Sequence, residues 1–150
     1  MTPAEEILKL IESIPEAMRE GSAVEVTNRM DEIDARVWIY IAGPGHTFEK
    51  MLDCGHCDYT LANGNQCMGL KGSWKQYTRS RDALKQIRPD GWYFGYETGF
   101  SGDVPVFSYG CWKKSTEFPG YPMISTRCLP SEECAELYAI IQAIEFERTK

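Results

Sequence analysis

The chain carries helical patterns at both ends and strand-forming runs between them. Residues 92–96 and residues 104–109 are dense in strand formers, and the glycine-rich turn residues 99–103 separate the two runs. Apolar residues recur at helical spacing within the ranges 3–14, 22–41, 80–87 and 131–144. This order predicts an α+β protein in which helices pack on a small, mostly antiparallel sheet. Because there is no repeat and no long linker, we expect one domain over residues 1–150.

Every predicted helix begins at a residue whose side chain can cap it. Residues 2–5 (Thr-Pro-Ala-Glu) and residues 22–25 (Ser-Ala-Val-Glu) are capping boxes, and Ser80 and Ser131 precede the third and the last helix. Proline and glycine mark the predicted ends, because neither residue continues a helix well. We predict these ends at Pro15, Gly43 and Pro89.

The second helix is predicted to be amphipathic. Glu32 and Arg36 stand four residues apart and can pair on its solvent side. Asp31 and Asp34 belong to the same charged face, and nothing in the sequence supplies them with a partner for acid–base work. The apolar stripe is expected to consist of Val26, Met30, Ile33, Val37 and Ile41.

Residues 46–76 interrupt these periodic patterns. Glycine, asparagine and cysteine recur throughout the segment, and Asn63-Gly64 is a strong signal for a hairpin turn. We therefore predict an irregular, two-stranded, cysteine-containing hairpin insertion over residues 46–76. In the later hairpin, Pro105 predicts that the second strand lies at a sheet edge or begins there.

The chain is acidic, and its composition is that of an ordinary globular protein. The formal net charge of −6 argues against a protein that binds nucleic-acid backbones, since phosphate contacts need clustered cations. No apolar run approaches the roughly 20 residues of a membrane-spanning helix. The first six residues are acidic where a secretion signal would be basic. We expect a cytoplasmic protein that does not contact membranes.

Three of the six cysteines fall within one predicted loop. Cys54 and Cys57 form a C-x-x-C motif, Cys67 follows at a workable distance, and His56 is a candidate fourth ligand for zinc. Other candidates for the fourth position are His46, Cys111 and Cys128. The alternative is that these cysteines are reduced thiols, some of them buried as small apolar side chains. One C-x-x-C motif without a second pair does not decide between the two interpretations.

Trp92, Phe94 and Tyr96 alternate along a predicted strand, so their rings share one face of the sheet. Burial under the C-terminal helix is the favoured interpretation, because aromatic strand residues usually serve the core. The alternative is a stacking platform for a nucleotide-like small molecule, with nearby cations meeting its phosphate. The cations predicted for that role are Arg79, Arg81 and Lys113.

Three segments resemble, in order and spacing, segments of one group of small bacteriophage proteins. They are residues 30–38, residues 77–84 followed by Pro89-Asp90-Gly91-Trp92, and the helix around residues 133–137. On these segments the chain resembles the phage ABA sandwich domain family. The resemblance implies phage origin and a layered helix–sheet–helix (α/β/α) sandwich, and it implies no reaction. The cysteine-containing segment departs from the family pattern.

The sequence contains no recognised catalytic constellation. There is no phosphate-binding loop and no dinucleotide-binding glycine pattern. Neither His46 nor His56 has a Ser or Cys nucleophile at a spacing that identifies a catalytic triad. We therefore expect a small phage accessory protein that binds a host or phage protein, in host takeover or counter-defence. One alternative is a small-molecule binder, such as a sponge for a nucleotide signal, with a pocket formed in a homo-oligomer. Another is a zinc-stabilised interaction module.

Overall fold

The computed structural model describes residues 1–113, 123–125, 129 and 131–149, and the chain divides after Thr78 into two units. Met1–Thr78 is the N-terminal unit and Arg79–Lys150 is the C-terminal unit. Each unit combines helices with a three-stranded antiparallel sheet, which confirms the α+β prediction and divides the strands between two sheets. The prediction of a single domain stays a prediction.

The elements follow one another without overlap between the units. The N-terminal unit contains α1 (Pro3–Glu12), α2 (Ile14–Glu20), α3 (Ala23–Ala42), β1 (Thr47–Met51), β2 (Cys57–Thr60) and β3 (Gln66–Gly69). The C-terminal unit contains α4 (Arg81–Ile87), β4 (Trp92–Ser101), β5 (Val104–Lys113), β6 (Met123–Ser125) and α5 (Glu132–Arg148). Within the described part of the chain, no helix combines the length and the apolar character needed to cross a membrane.

All four predicted capping residues cap helices. The Thr2 hydroxyl accepts a hydrogen bond from the backbone N–H of Glu5 at 3.2 Å, and the Glu5 carboxylate accepts one from the backbone N–H of Thr2 at 3.1 Å. Ser22, Ser80 and Ser131 each accept the backbone N–H three residues further on, at the starts of α3, α4 and α5. The starts of α1, α3, α4 and α5 are therefore each stabilised by a local side-chain cap.

The prediction that Pro15 ends a helix is wrong. Pro15 lies in the first turn of α2, which begins at Ile14 directly after α1. Proline is tolerated there because the first backbone N–H groups of a helix have no partner within the helix. The change of direction falls instead at Ser13, whose hydroxyl donates a hydrogen bond to the Leu10 carbonyl at 2.6 Å.

Helix α3 is the central element of the N-terminal unit. Ile33 and Val37 of the predicted stripe are fully buried, and the predicted pair of Glu32 with Arg36 is present at 3.1 Å. A second buried stripe, which the sequence analysis missed, includes Ala35 and contacts the sheet of β1, β2 and β3. Because α1 and α2 also pack on α3, this helix is buried on more than one side.

The segment predicted as a two-stranded hairpin forms three strands, in the order β1-β2-β3. The turn predicted at Asn63-Gly64 joins β2 to β3, and Gly64 has a φ of +90°, a conformation that favours glycine. A core forms where this sheet meets α3. Its members are Ala35, Trp38, Ile39, Phe48, Met51, Cys57, Tyr59 and Trp74.

In the C-terminal unit, β5 lies between β4 and β6, and α5 packs on β5. The predicted hairpin of β4 and β5 is present, but its strands are longer than predicted and its turn shortens to Gly102 and Asp103. Pro105 is the second residue of β5, and β6 pairs only further along, from Gly110 to Trp112. Of the two predictions for Pro105, its place near the beginning of a strand is confirmed.

Candidate functional site

One face of the C-terminal sheet carries Trp92, Phe94 and Tyr96 and is turned toward α5. Opposite them on β5 lie Lys113, Cys111 and Tyr109. The Cys111 thiol donates a hydrogen bond to the Ala139 carbonyl of α5 at 3.6 Å, and Trp92 is buried. Burial raises the pKa of Cys111 to about 12. Trp92 and its neighbour Cys111 therefore belong to the core under α5, whereas Phe94 is partly buried and Tyr96 is 53% exposed.

Glu136 is a buried carboxylate on α5. Because the Ser131 cap sets the start of α5, Glu132 and Glu136 stand one turn apart on the same side of the helix. Arg88 Nη2 donates to Glu136 Oε1 at 2.6 Å, and Arg81 Nη2 lies 3.7 Å from the same oxygen. These two guanidinium groups compensate a carboxylate that is 1% exposed and that would be costly to bury alone.

Tyr109 connects Arg81 to the second carboxylate. Its hydroxyl accepts a hydrogen bond from Arg81 Nη2 at 2.9 Å and donates one to Glu132 Oε1 at 3.2 Å. Burial, followed by the negative charge of Glu136, raises the pKa of Tyr109 well above its usual range, so the phenol keeps its proton. We refer to Arg81, Arg88, Tyr109, Glu132 and Glu136 as the buried ionic cluster because Tyr109 and Glu136 at its centre are buried; the Arg81 side chain at its rim is 42% exposed.

The buried ionic cluster has no excess positive charge for an anionic ligand. Arg81 Nη1 lies 2.8 Å from Glu132 Oε1, so each of its two arginines meets a carboxylate. Among the described residues, Glu136 Oε2 and Arg88 Nε have no hydrogen-bond partner. The contacts of the cluster connect α4, β5 and α5, which is a structural role.

The six residues predicted to bind a nucleotide-like ligand fall into separate groups. Arg81 lies 5.9 Å from the Tyr96 ring centroid, so these two are brought together. Phe94 instead receives Arg88, whose guanidinium carbon is 5.0 Å from the ring centroid. Arg79 is partly buried and has contacts of its own.

Trp92 and Lys113 form a second group, around Glu147 near the end of α5. Trp92 Nε1 donates to Glu147 Oε1 at 3.0 Å, and Lys113 Nζ lies 3.0 Å from the same oxygen. The hydrogen bonds from Lys113 and then from Trp92 lower the pKa of Glu147. The cation of this group is therefore engaged by a carboxylate, as in the buried ionic cluster. Nucleotide binding at these residues stays a prediction.

The predicted zinc ligands occupy different environments. Cys57 is buried in the N-terminal core, Cys67 is partly exposed and Cys54 is exposed. A Cβ atom placed on Gly69 would lie 2.7 Å from Cys57 Sγ, so the thiol fills the space that the glycine leaves open. Burial raises the pKa of Cys57, which disfavours the thiolate that binds zinc.

The two histidines of the cysteine segment accept hydrogen bonds from backbone N–H groups of its loops. His56 Nδ1 accepts a hydrogen bond from the backbone N–H of Lys71 at 2.7 Å, and His46 Nδ1 accepts one from Ala62 at 3.2 Å. No group of three or more His, Cys, Asp or Glu side chains among the described residues is placed to hold a metal ion. Cys128 lies outside the described residues. The zinc site stays a prediction.

A groove of about 910 Å³ opens on the N-terminal unit between α1, α3 and the β1–β2 turn. Arg36 in its wall lies 3.2 Å from Glu6 and 3.1 Å from Glu32. Arg29 donates to the Ser13 hydroxyl at 3.0 Å. The lining also includes Lys9 and Lys71 among several carboxylates, and this mixture of both signs of charge does not indicate one ligand class.

The strand β4 exposes large apolar side chains. In the described part of the C-terminal unit, the exposed large hydrophobic residues are Tyr93, Tyr96 and Phe100, all on β4, with exposed fractions of 50%, 53% and 76%. The neighbouring Glu97 and Thr98 are exposed as well. Among the described strands, β4 pairs with β5 alone, so no described strand lies on its other edge. The β4 edge is the name used below for residues 96–100.

The sequence analysis missed the β4 edge because it assigned Phe100 to a turn. The available signal was the alternation of Tyr96, Thr98 and Phe100, which continues the two-residue period of the strand.

Comparisons with models of protein families, with curated proteins and with solved structures find no match for the chain.

Proposed function

We propose that the chain is a small protein-binding accessory protein whose binding surface is the β4 edge. The observation that carries the proposal is the concentration of exposed rings on one open strand. The resemblance to small phage proteins supports a phage origin. The partner we propose is accordingly a host or phage protein, bound in the cytoplasm of the infected cell in host takeover or counter-defence.

An open strand binds protein by two physical means. Alternate backbone N–H and C=O groups on its free edge can pair with an added strand, which supplies affinity. Exposed tyrosine and phenylalanine rings add apolar contact area at a small cost in side-chain entropy, and aromatic residues are enriched in interfaces. Tyr96 and Phe100 sit beside such an edge, so the partner is expected to present an extended segment.

The small-molecule alternative has less support. Arg81, Arg88 and Lys113 are each within 3.0 Å of a carboxylate oxygen. A phosphate would have to displace those carboxylates, one of which is buried. An exposed strand edge requires no such displacement.

The proposal is tested by capture from lysates of infected cells. Immobilised wild-type chain is compared with the double variant Tyr96→Ser, Phe100→Ser, followed by quantitative mass spectrometry. The matched control is Met68→Ser, Leu70→Ser, which removes apolar side chains that are 54% and 55% exposed in the N-terminal unit. We expect a stoichiometric partner on the wild type and on the control, and at least a tenfold loss on the β4 variant.

Hydrogen exchange locates the contact. The amides of β4 are expected to exchange more slowly when the captured partner is bound, because an added strand accepts their hydrogen bonds. Equal capture by the wild type and the β4 variant, or protection confined to the N-terminal unit, would contradict the proposal.

A further inference from the structure

We infer that the strand that fits the β4 edge is β4 of a second copy of this chain, paired antiparallel about Thr98. The inference rests on the proposed function of the β4 edge and names one partner for it. A two-fold axis through the Thr98 pair would place the same strand on both sides, as in most closed homodimers. The β4-β5-β6 sheets of the two copies would then form one continuous six-stranded sheet.

The β4 sequence is complementary to itself in this register. Tyr96 lies opposite the partner's Phe100, and Phe100 lies opposite the partner's Tyr96. Thr98 faces the partner's Thr98, and such threonine pairs are favourable across strands. Because Tyr96, Thr98 and Phe100 alternate along the strand, all of these pairs lie on one face. The four rings therefore form two aromatic pairs, one on each side of the axis.

The charges also agree with this register. Glu97 is the one ionised side chain between Trp92 and Ser101, and it lies opposite the partner's Gly99. A register centred on Glu97 would place two carboxylates opposite each other, which is destabilising. A shift of one residue in either direction places each ring opposite a glycine or a polar residue. Of these registers, the one about Thr98 keeps both Tyr96–Phe100 pairs and separates the carboxylates.

The expected interface is small. Aromatic side chains bury about 150–250 Å² each when fully covered, and the four rings here are already partly covered by their own sheet. The total falls near the lower end of specific interfaces, below about 1,200 Å². The net charge of −6 on each copy opposes association and is screened by salt. We therefore expect a dimer that dissociates on dilution and tightens as salt is added.

The first experiment is a charge swap at the axis, read by sedimentation velocity of the full chain. Thr98→Lys and Thr98→Glu each place like charges opposite each other, and each is expected to weaken dimerisation at least tenfold. Mixing the two variants pairs opposite charges and is expected to restore a heterodimer. Thermal unfolding of each single variant should match the wild type, because Thr98 is exposed.

The matched control is Thr47→Lys, an exposed threonine on β1, one of the two edge strands of the other sheet. It should leave the dimer unchanged. The inference is overturned if the wild type stays monomeric at all concentrations, if either Thr98 variant dimerises as the wild type does, or if the mixture stays monomeric.

The second experiment fixes the register by disulfide crosslinking in a Cys54→Ser background, which removes an exposed thiol. Opposed residues of antiparallel strands have Cα atoms about 4.5–5.5 Å apart, which suits a disulfide. Thr98→Cys should therefore give a crosslinked dimer under mild oxidation. Glu97→Cys should not, because the two copies of residue 97 are two positions out of register and face the other side. Crosslinking of Glu97→Cys alone would overturn the register.

The two proposals fail separately. A wild type that is monomeric but captures a partner through Tyr96 and Phe100 overturns the second-copy inference and supports the proposed function. A wild type whose dimer is lost in Thr98→Lys, with capture unaffected by Tyr96→Ser, Phe100→Ser, supports the inference and overturns the proposed binding of another protein at this edge.

Discussion

One edge strand of the N-terminal sheet, β1, and one edge strand of the C-terminal sheet, β4, differ in length and charge. β1 is five residues long, carries Glu49 and Lys50, and is bulged between Phe48 and Lys50. β4 is ten residues long, has no proline or lysine, and carries the single carboxylate of Glu97. Short length, charge and bulges are the devices by which natural sheets discourage edge pairing. Since β1 has all three, the open edge of β4 is not a general consequence of a small sheet.

The aromatic residues show the same contrast. In the N-terminal unit, the Trp38 ring lies 5.7 Å from that of Tyr59 and 6.0 Å from that of Trp74, all within the packing around α3. In the C-terminal unit, Tyr96 and Phe100 remain more than half exposed. Because the aromatic rings around α3 are packed into a core, the exposed rings of β4 are the ones to test for binding.

The largest effect on stability is expected from Glu136→Ala in the C-terminal unit. The change leaves Arg88 partly buried without its carboxylate, and breaking such a pair costs about 3–5 kcal/mol. The matched control is Glu6→Ala in the N-terminal unit, where the Glu6 side chain is 45% exposed beside Arg36. Pairs exposed to this degree contribute about 0–1 kcal/mol. Urea unfolding measures both, and equal losses would remove this difference between the units.

A smaller effect separates two strand glycines, one in each sheet. Gly69→Ala brings a Cβ atom to 2.7 Å from Cys57 Sγ and 3.0 Å from the Trp38 ring, which is overpacking. We expect a loss of about 1–3 kcal/mol in the free energy of unfolding. Gly95→Ala is the control, because its Cβ would meet the Trp112 ring at an ordinary 3.5 Å. Equal urea midpoints for the two variants would show that the N-terminal core is loosely packed.

A loss of stability is also expected at alkaline pH. Burial raises the pKa of the Cys111 thiol from 9.0 to about 12, so the folded state holds this proton more tightly than the unfolded state. The resulting stability is complete below pH 9 and is lost as the pH rises toward 12. Urea midpoints under reducing conditions should fall across this window, and Cys111→Ala should reduce the fall. A fall unchanged in that variant would assign it to other groups, such as Tyr109.

The smallest effect is expected from chelation. Cys57 packs against Gly69 and α3, and His56 Nδ1 already accepts a backbone N–H, so these two predicted ligands have structural roles without zinc. We expect EDTA to leave the thermal midpoint unchanged and native mass spectrometry to show the bare chain. A lowered midpoint, restored by added zinc, would support the predicted zinc site. It would also favour the cysteine segment over the β4 edge as the functional site.

Local features of the fold were predictable from the sequence. The four caps at Thr2, Ser22, Ser80 and Ser131 are confirmed because each depends on a side chain and a backbone N–H three residues away. The turn at Asn63-Gly64 is confirmed because it is also local: the Gly64 N–H donates to the Leu61 carbonyl, and Gly64 has the positive φ that favours glycine. Strand β1 was missed because a short, charged strand becomes regular only when it pairs with β2.

The buried groups were not predictable from local patterns. Asp34 was assigned to the solvent side of α3 by its charge, but it is buried, and its carboxylate accepts the backbone N–H of Thr78 at 2.8 Å. Glu136 meets Arg88, which is 48 residues away in the sequence. Helical periodicity records the polarity of a side chain and contains no information on a partner so distant in the chain. The open edge of β4 has the same origin, since an edge is defined by the strands around it.

The turn between β2 and β3 also has a consequence for the chemical lifetime of the protein. An Asn-Gly pair ages when the glycine backbone nitrogen attacks the asparagine side-chain carbonyl carbon, which expels ammonia and closes a cyclic imide. Water then hydrolyses the imide to a carboxylate. Here the Gly64 N–H donates to the Leu61 carbonyl at 2.9 Å, and Asn63 Oδ1 accepts the Asn65 N–H at 3.0 Å. Both reacting groups are held in other bonds, so the folded turn should age slowly. The acidic product would therefore accumulate in proportion to the fraction of time for which this hairpin is open, so its amount reports local unfolding of the turn.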